Sequence, residues 1–232
     1  MAHLKLFILG QPRLERDEAP IDLNLRKAMA LLVYLAVSGQ PHSRDALATL
    51  LWPESDGSEG RARLRRTLHR LQEAIGDDIL DSGSEAIRLH PHADLWLDSA
   101  AFRQHVTAGL AAAPQDVVAP ERLAYLNAAI ELYTDDLLAG FTLPDSPAFD
   151  EWQFFQRESL HQLYSQVLEQ LVQAYRTQQA WNQAIAYARR WLALDVLYEP
   201  AHRMLMRLYA GPGNKPLPFA NIMNAPESSA LS

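Results

Sequence analysis

Polar and apolar positions alternate at the start of the chain and then change period. "HLKLFIL" is a short apolar run bounded by Gly10-Gln11-Pro12, and "RLER" and "PIDL" alternate around the turn-like "DEA". This pattern predicts a small antiparallel sheet over the first 25 or so residues. From Arg26 the period is helical. Ala28, Leu31, Leu32, Leu35 and Ala36 share one face, and Gly39 offers a stop. Ser43 can cap a second helix with Asp45 in its first turn, and Ala46, Leu47, Leu50 and Leu51 form its buried stripe before Pro53.

After the loop "ESDGSEG", Leu64, Leu68, Leu71 and Ile75 fall in a narrow sector at about 100° per residue. They predict a core-facing stripe on a third helix starting near Glu59 and ending at Gly76. "DILDSGSEAIRLH" then reads as a hairpin with Gly83 in its turn. Beyond Ser99 the pattern is helical nearly throughout, with helices expected over 100–112, 121–139, 147–178, 181–195 and 200–209. The last 22 residues carry four prolines and no sustained period, and are expected to be loosely packed.

The 232 residues are 48% apolar, enough for real cores. Cysteine is absent, which removes disulfides and thiolate chemistry and fits a reducing cytoplasm. No apolar run approaches the ~18–20 residues of a membrane span, so no membrane partner is expected.

Charge then sharpens the picture. The formal net charge is −7, yet Arg61, Arg63, Arg65, Arg66 and Arg70 lie within ten positions. Residues 1–98 still balance to −3, so any contact with nucleic acid must come from the arrangement of charge, not its total. On the third helix, Arg63, Arg66 and Arg70 cluster opposite the leucine stripe, with Arg65 and His69 on a flank and Arg61 nearer the apolar edge. Such a face is often only solvated surface. The surrounding order of three strands, three helices and a hairpin gives it another sense. That order is the one of a winged helix with an extra N-terminal sheet.

The residues now carry a resemblance. "RKAMALLVYLAVSGQPHSRDALATLLWP" followed by "RARLRRTLHRL" is similar to the OmpR-type DNA-binding domain of the AfsR/SARP antibiotic-regulatory transcription activators. Asp98 with Phe102, "ELYTDDLLAGF" and "EWQFFQRESL" resemble the bacterial transcriptional activator domain of the same regulators. The likeness covers about residues 3–210. It implies a mainly α protein with a small N-terminal β-sheet and a wing. A winged helix-turn-helix over 1–97 would precede a tetratricopeptide-like helical bundle over 98–210 and an irregular tail over 211–232.

It further implies a sequence-specific activator, localised to the cytoplasm at the nucleoid. Helix 61–75 would lie in the major groove of double-stranded DNA, with 79–89 as the wing. Arg66 and Arg70 are expected closest to bases, with Arg63 and Arg65 dividing between base edges and phosphates. Arg61 and His69 complete that face, and Thr67 has a weaker claim. Arg26, Lys27 and Arg44 stand near two helix starts, facing phosphate or plain solvent. In the wing, Ser82, Ser84 and Arg88 are expected at backbone or minor groove, although Asp81 and Glu85 there would repel a phosphate. Trp52 reads as a core anchor.

In the second half, Ala188, Leu192 and Pro200 fall at offsets of four and eight, as in the second helix of a tetratricopeptide repeat. Arg176 departs from the small residue expected in the first. The bundle can offer a surface to RNA polymerase, to a regulatory domain of the same chain or to a second copy, or can simply support the DNA-binding half. Phe149, Trp152, Phe154 and Phe155 are expected in the packing core. Beyond "RMLMRLYA" the helical pattern breaks, so Met204, Leu205, Leu208 and Tyr209 are expected to lack cover and to favour dimers or aggregation.

No phosphate loop, nucleophile elbow or His-Glu-x-x-His occurs, and "HPH" is a weak metal motif, so neither catalysis nor a cofactor is expected. The competing reading is a tetratricopeptide-like adaptor whose winged helix makes protein contacts only.

Overall fold

A computed structural model describes residues 3–83, 86–111 and 120–210. Strands β1 (Leu4–Phe7), β2 (Arg13–Arg16) and β3 (Ala19–Ile21) lead into helix α1 (Arg26–Ser38). The two-residue strand β4 (His42–Ser43) precedes α2 (Arg44–Leu51) and α3 (Gly57–Ile75). The hairpin of β5 (Leu80–Ser82) and β6 (Ala86–Leu89) is followed by β7 (Leu95–Leu97). Helices α4 (Asp98–Leu110), α5 (Pro120–Leu132), α6 (Pro147–Thr177), α7 (Trp181–Leu194) and α8 (Glu199–Ala210) complete the described residues.

Two sheets frame the first half. One has the order β3-β2-β1-β7, with β7 parallel to β1 and the other pairs antiparallel. The β2–β3 turn places Asp17 and Glu18 at φ 49° and 69°, the double left-handed geometry of a tight hairpin. The other sheet, β4-β6-β5, carries the wing. Neither β4 nor β7 is anticipated by the sequence pattern. Each is two or three residues long, and its partner lies far away along the chain.

The predicted helix over 121–139 ends at Leu132 instead. Residues beyond it bond to the extension of β1: Leu138 N–H donates to Ile8 O at 2.8 Å and Ala139 N–H to Gly10 O at 3.0 Å. Gly10 stands at φ +129°, and a Cβ there would meet Thr134 Oγ1 at 3.1 Å, so a side chain would be strained twice over. These bonds join the two halves of the chain. So does Asp98, whose Oδ2 accepts from the amides of Ile8 (2.7 Å) and Leu9 (2.8 Å). β7 ends at Leu97 and α4 begins at Asp98, without a linker.

The buried apolar residues form one continuous cluster from Leu4 to Leu208. Trp52 belongs to it. α4 and α5 approach closely at Gly109, where a Cβ would fall 2.7 Å from Leu126 Cδ2. α6 and α7 pack through Ala184 and Ala188, both fully buried.

Two expectations about apolar residues are corrected. Met204, Leu205 and Leu208 are buried and Tyr209 is partly covered, because α8 packs its apolar face onto α7. Of the aromatic cluster, Phe149 is in the core and Trp152 is half-buried, but Phe154 and Phe155 stand 50% and 60% exposed. Phe149 and Trp152 differ by three residues and share the core face, while Phe154 and Phe155 lie on the opposite side of α6. The tail over 211–232 lies outside the described residues.

Candidate nucleic-acid interface

The arginine helix begins at Gly57, two residues before the predicted start near Glu59. Asp56 caps it, its carboxylate accepting the Glu59 N–H at 2.7 Å and the Ser58 hydroxyl at 2.8 Å. Those bonds hold the Asp56 carboxyl below the usual range. On one face Leu64, Thr67, Leu68, Leu71 and Ile75 are all buried, which seats α3 on α1 and α2. Gly60 is buried where α3 faces Ala48 of α2. The opposite face exposes Arg61, Arg63, Arg65, Arg66, His69 and Arg70.

These side chains divide into two groups. Arg61 forks onto Asp45, with Nε 2.5 Å and Nη2 2.9 Å from its two oxygens. Arg63 pairs with Glu59 one turn back at 2.5 Å, and His69 stands 3.4 Å from Glu73. All three pairs are largely solvent-exposed, where an ion pair contributes about 0–1 kcal/mol. Arg65, Arg66 and Arg70 have no carboxylate or hydrogen-bond partner among the described residues.

The hairpin lies beside this face. Arg44 donates from Nη2 to Ser82 O and Gly83 O, each at 3.1 Å, and from Nε to Gly83 O at 3.2 Å. It therefore braces the wing and has fewer donors left for phosphate. Gln72 on α3 reaches the Ser82 hydroxyl at 3.5 Å, so Ser82 faces the arginine helix. Arg88 pairs with Asp81 across the hairpin at 2.9 Å, which neutralises one of the two acidic residues near the tip. Ser84 lies outside the described residues.

A cleft of about 490 Å³ opens at the other flank, lined by Lys27, Arg63, Arg66 and Arg70 together with Trp52, Pro144 and Asp145. Lys27 donates to Leu51 O at 2.5 Å and lies 5.1 Å from the Trp52 ring centre. Burial lowers its pKa, against the pull of Asp145 and with the help of Arg63. Ser146 donates to the same Leu51 carbonyl at 3.0 Å, pinning the α5–α6 connection beside the arginine face. Lys27, expected near a helix start, lies in this cleft, and Asp145 is a member of it that the helical pattern does not single out. Asp145 is 75 residues from Arg70, and only folding brings them to one cleft.

Elsewhere, His90 and His92 face one another at 5.8 Å with no third metal ligand gathered among the described residues. No described helix is long and apolar enough to cross a membrane.

No curated protein sequence matches the chain. Among solved structures, it resembles Mycobacterium tuberculosis EmbR, solved in complex with a low-affinity phosphopeptide, at a TM-score of 0.61 and 20% identity. The match takes in 90% of this chain and 66% of that one, so this chain spans just under two thirds of EmbR's length. The likeness shows a common fold, with the helices and small N-terminal sheet arranged alike. The family description "bacterial transcriptional activator domain" matches residues 97–216, more than half of the chain. The chain belongs to that bacterial transcriptional activator domain family.

Proposed function

We propose that the protein binds double-stranded DNA sequence-specifically and activates transcription, with α3 in the major groove and the β5–β6 hairpin as the wing. One observation carries this reading: a buried leucine seam fixes α3 while Arg65, Arg66 and Arg70 project from the far side without carboxylate partners. A major groove admits one helix, and a guanidinium there can fork onto guanine or clamp a phosphate. Arg66 and Arg70 take the base edges. Arg65 works between bases and backbone. Arg61, Arg63 and His69 exchange weak, exposed pairs for phosphates, at little cost. Ser82 and Arg88 meet the backbone beside the wing, which Arg44 steadies. Residues 1–97 read DNA, and 98–210 hold that unit and face the transcription machinery.

Selection of bound sequences from a random duplex pool tests the reading. A reproducible motif is expected. The double substitution Arg66→Ala/Arg70→Ala should remove binding to it while leaving the thermal unfolding unchanged. Retention of specific binding by that variant would refute the assignment of α3.

A further inference from the structure

A second surface lies on the helical half, away from the arginine face. α6 and the end of α7 enclose a groove of about 360 Å³. Its floor is closed by Trp191, whose indole N–H donates to the Ser165 hydroxyl at 2.7 Å and whose ring stands 5.6 Å from Tyr198. Glu158, Glu169 and Asp195 line it, and no Lys or Arg does. His161 is there too, but Asp136 holds its Nε2 at 2.5 Å and Glu158 lies 3.9 Å from its Nδ1. Glu169 has no cationic partner among the described residues.

Apolar side chains stand exposed at both margins. Phe155, Glu158, Gln162, Gln166 and Glu169 recur every three or four residues, so Phe155 continues the groove's own face of α6 toward the helix start. It is 60% exposed and meets Phe154 edge to face. On the other wall, the turn after α7 exposes Val196 (66%) and Leu197 (86%). From Phe155 to Glu169 the face runs about 21 Å, the length of about four helical turns.

We infer that this groove docks a positively charged amphipathic helix of another protein, its Lys or Arg side chains on Glu158 and Glu169 and its apolar side chains on Phe155, Leu197 and Tyr198, which is 39% exposed. The charge excludes DNA here, because phosphates would face three carboxylates. It also disfavours a second copy. The basic helix of this chain buries its own apolar seam in its own core, so it has no apolar face left to meet Phe155 and Leu197. Two chains of net charge −7 repel besides.

The probe is a labelled helical peptide of about 15 residues with Lys on one face and Leu on the other, set against the same peptide with Glu in place of Lys. Fluorescence anisotropy with the full chain should show the Lys peptide binding and the Glu peptide failing. Glu158→Lys/Glu169→Lys and, separately, Phe155→Ser/Leu197→Ser should each weaken binding about tenfold. All four positions are at the groove and outside the core cluster, and circular dichroism checks the fold. Binding of the Lys peptide that ignores both variants overturns the inference, as does equal binding of the Glu peptide. A concentration-dependent dimer abolished by Phe155→Ser/Leu197→Ser would make a second copy the occupant and overturn it too. DNA affinity is measured alongside and should not change, so failure here is distinct from failure of the α3 assignment.

Discussion

Asp145 brings a carboxylate from the helical half to the rim of a cleft whose other walls are Lys27, Arg63, Arg66 and Arg70. A duplex lying on those cations would pass close to it. Asp145→Asn removes the charge while keeping a residue that tolerates the φ of 61° found there. DNA binding should tighten about fivefold at low salt, the worth of one unit charge a few ångströms from phosphate in water. The gain should fade at high salt through screening. Affinity that is the same for both proteins at every salt concentration would place Asp145 away from the duplex.

Asp98 is a different kind of carboxylate. Burial pushes its pKa up to about 6, although the amides of Leu9, Ile8 and Ser99 and the charge of Arg13 pull the other way. In the unfolded chain it ionises near the ordinary carboxylate value. Between about pH 4 and pH 6 the folded state therefore binds more protons than the unfolded state. The stability this group contributes is fully present below that window and is lost as pH rises through it, by up to about 3 kcal/mol. Asp98→Asn should flatten that part of the stability–pH curve measured by denaturant titration. Asp98→Ala should instead lower stability at all pH values, because the buried amides of Ile8 and Leu9 lose their acceptor at about 1–3 kcal/mol each.

At the scale of elements, α3 begins where a side chain caps it. Asp56→Ala should lower stability and loosen the turn that carries Arg61 and Arg63. DNA affinity should fall modestly, whereas the contacts of Arg70, four turns along, should persist in footprints. α4 and α5 show the opposite constraint, a contact that only the absence of a side chain permits. Gly109→Ala gains about 1 kcal/mol of helix propensity but puts a methyl 2.7 Å from Leu126 Cδ2. Overpacking of about 1–3 kcal/mol should win, and the melting temperature should fall.

The same scale shows what the pattern could reveal. α1, α2 and α3 were legible because their apolar residues recur at helical spacing before a glycine or proline. Yet α1 is buried on more than one side, from Ala30 to Val33, and on α2 Ala46 is exposed while Ala48 is buried in the contact with α3. The residues after Leu132 were not. "YTDDLLAG" has the composition of a helix, but its amides bond to Ile8 and Gly10, and no local signal encodes partners more than 100 residues away. Phe154 and Phe155 erred in the other direction, since aromatic content suggested burial while their position on α6 put them in solvent.

For the whole molecule, the continuous core and the clasp of Asp98, Leu138 and Ser146 join the sheet-bearing first half to the helical half. The full chain should unfold in a single calorimetric transition, and a fragment of residues 1–97 should melt at lower temperature or fail to fold. Two separated transitions would mean that the clasp adds little. Association with DNA should weaken with salt, log K falling by about 0.9 per neutralised phosphate for each decade of salt concentration. The acidic total is compatible with this because Arg65, Arg66 and Arg70 form a local strip without carboxylate partners among the described residues, while Asp45 and Glu59 are engaged by Arg61 and Arg63.

The first three strands, the order of the helices, the leucine seam of α3 and the outward arginines opposite it were determined by the sequence alone, because helical periodicity is a local property that sorts side chains onto faces, whereas β4 and β7 exist only through distant partners. Which arginines are free was decided by tertiary structure. Asp45 engages Arg61, the wing carbonyls engage Arg44, and Asp145 arrives at Arg66 and Arg70 from the other half of the chain. Those partners are set by through-space electrostatics and by the closure of long loops, and neither leaves a mark in the spacing of residues.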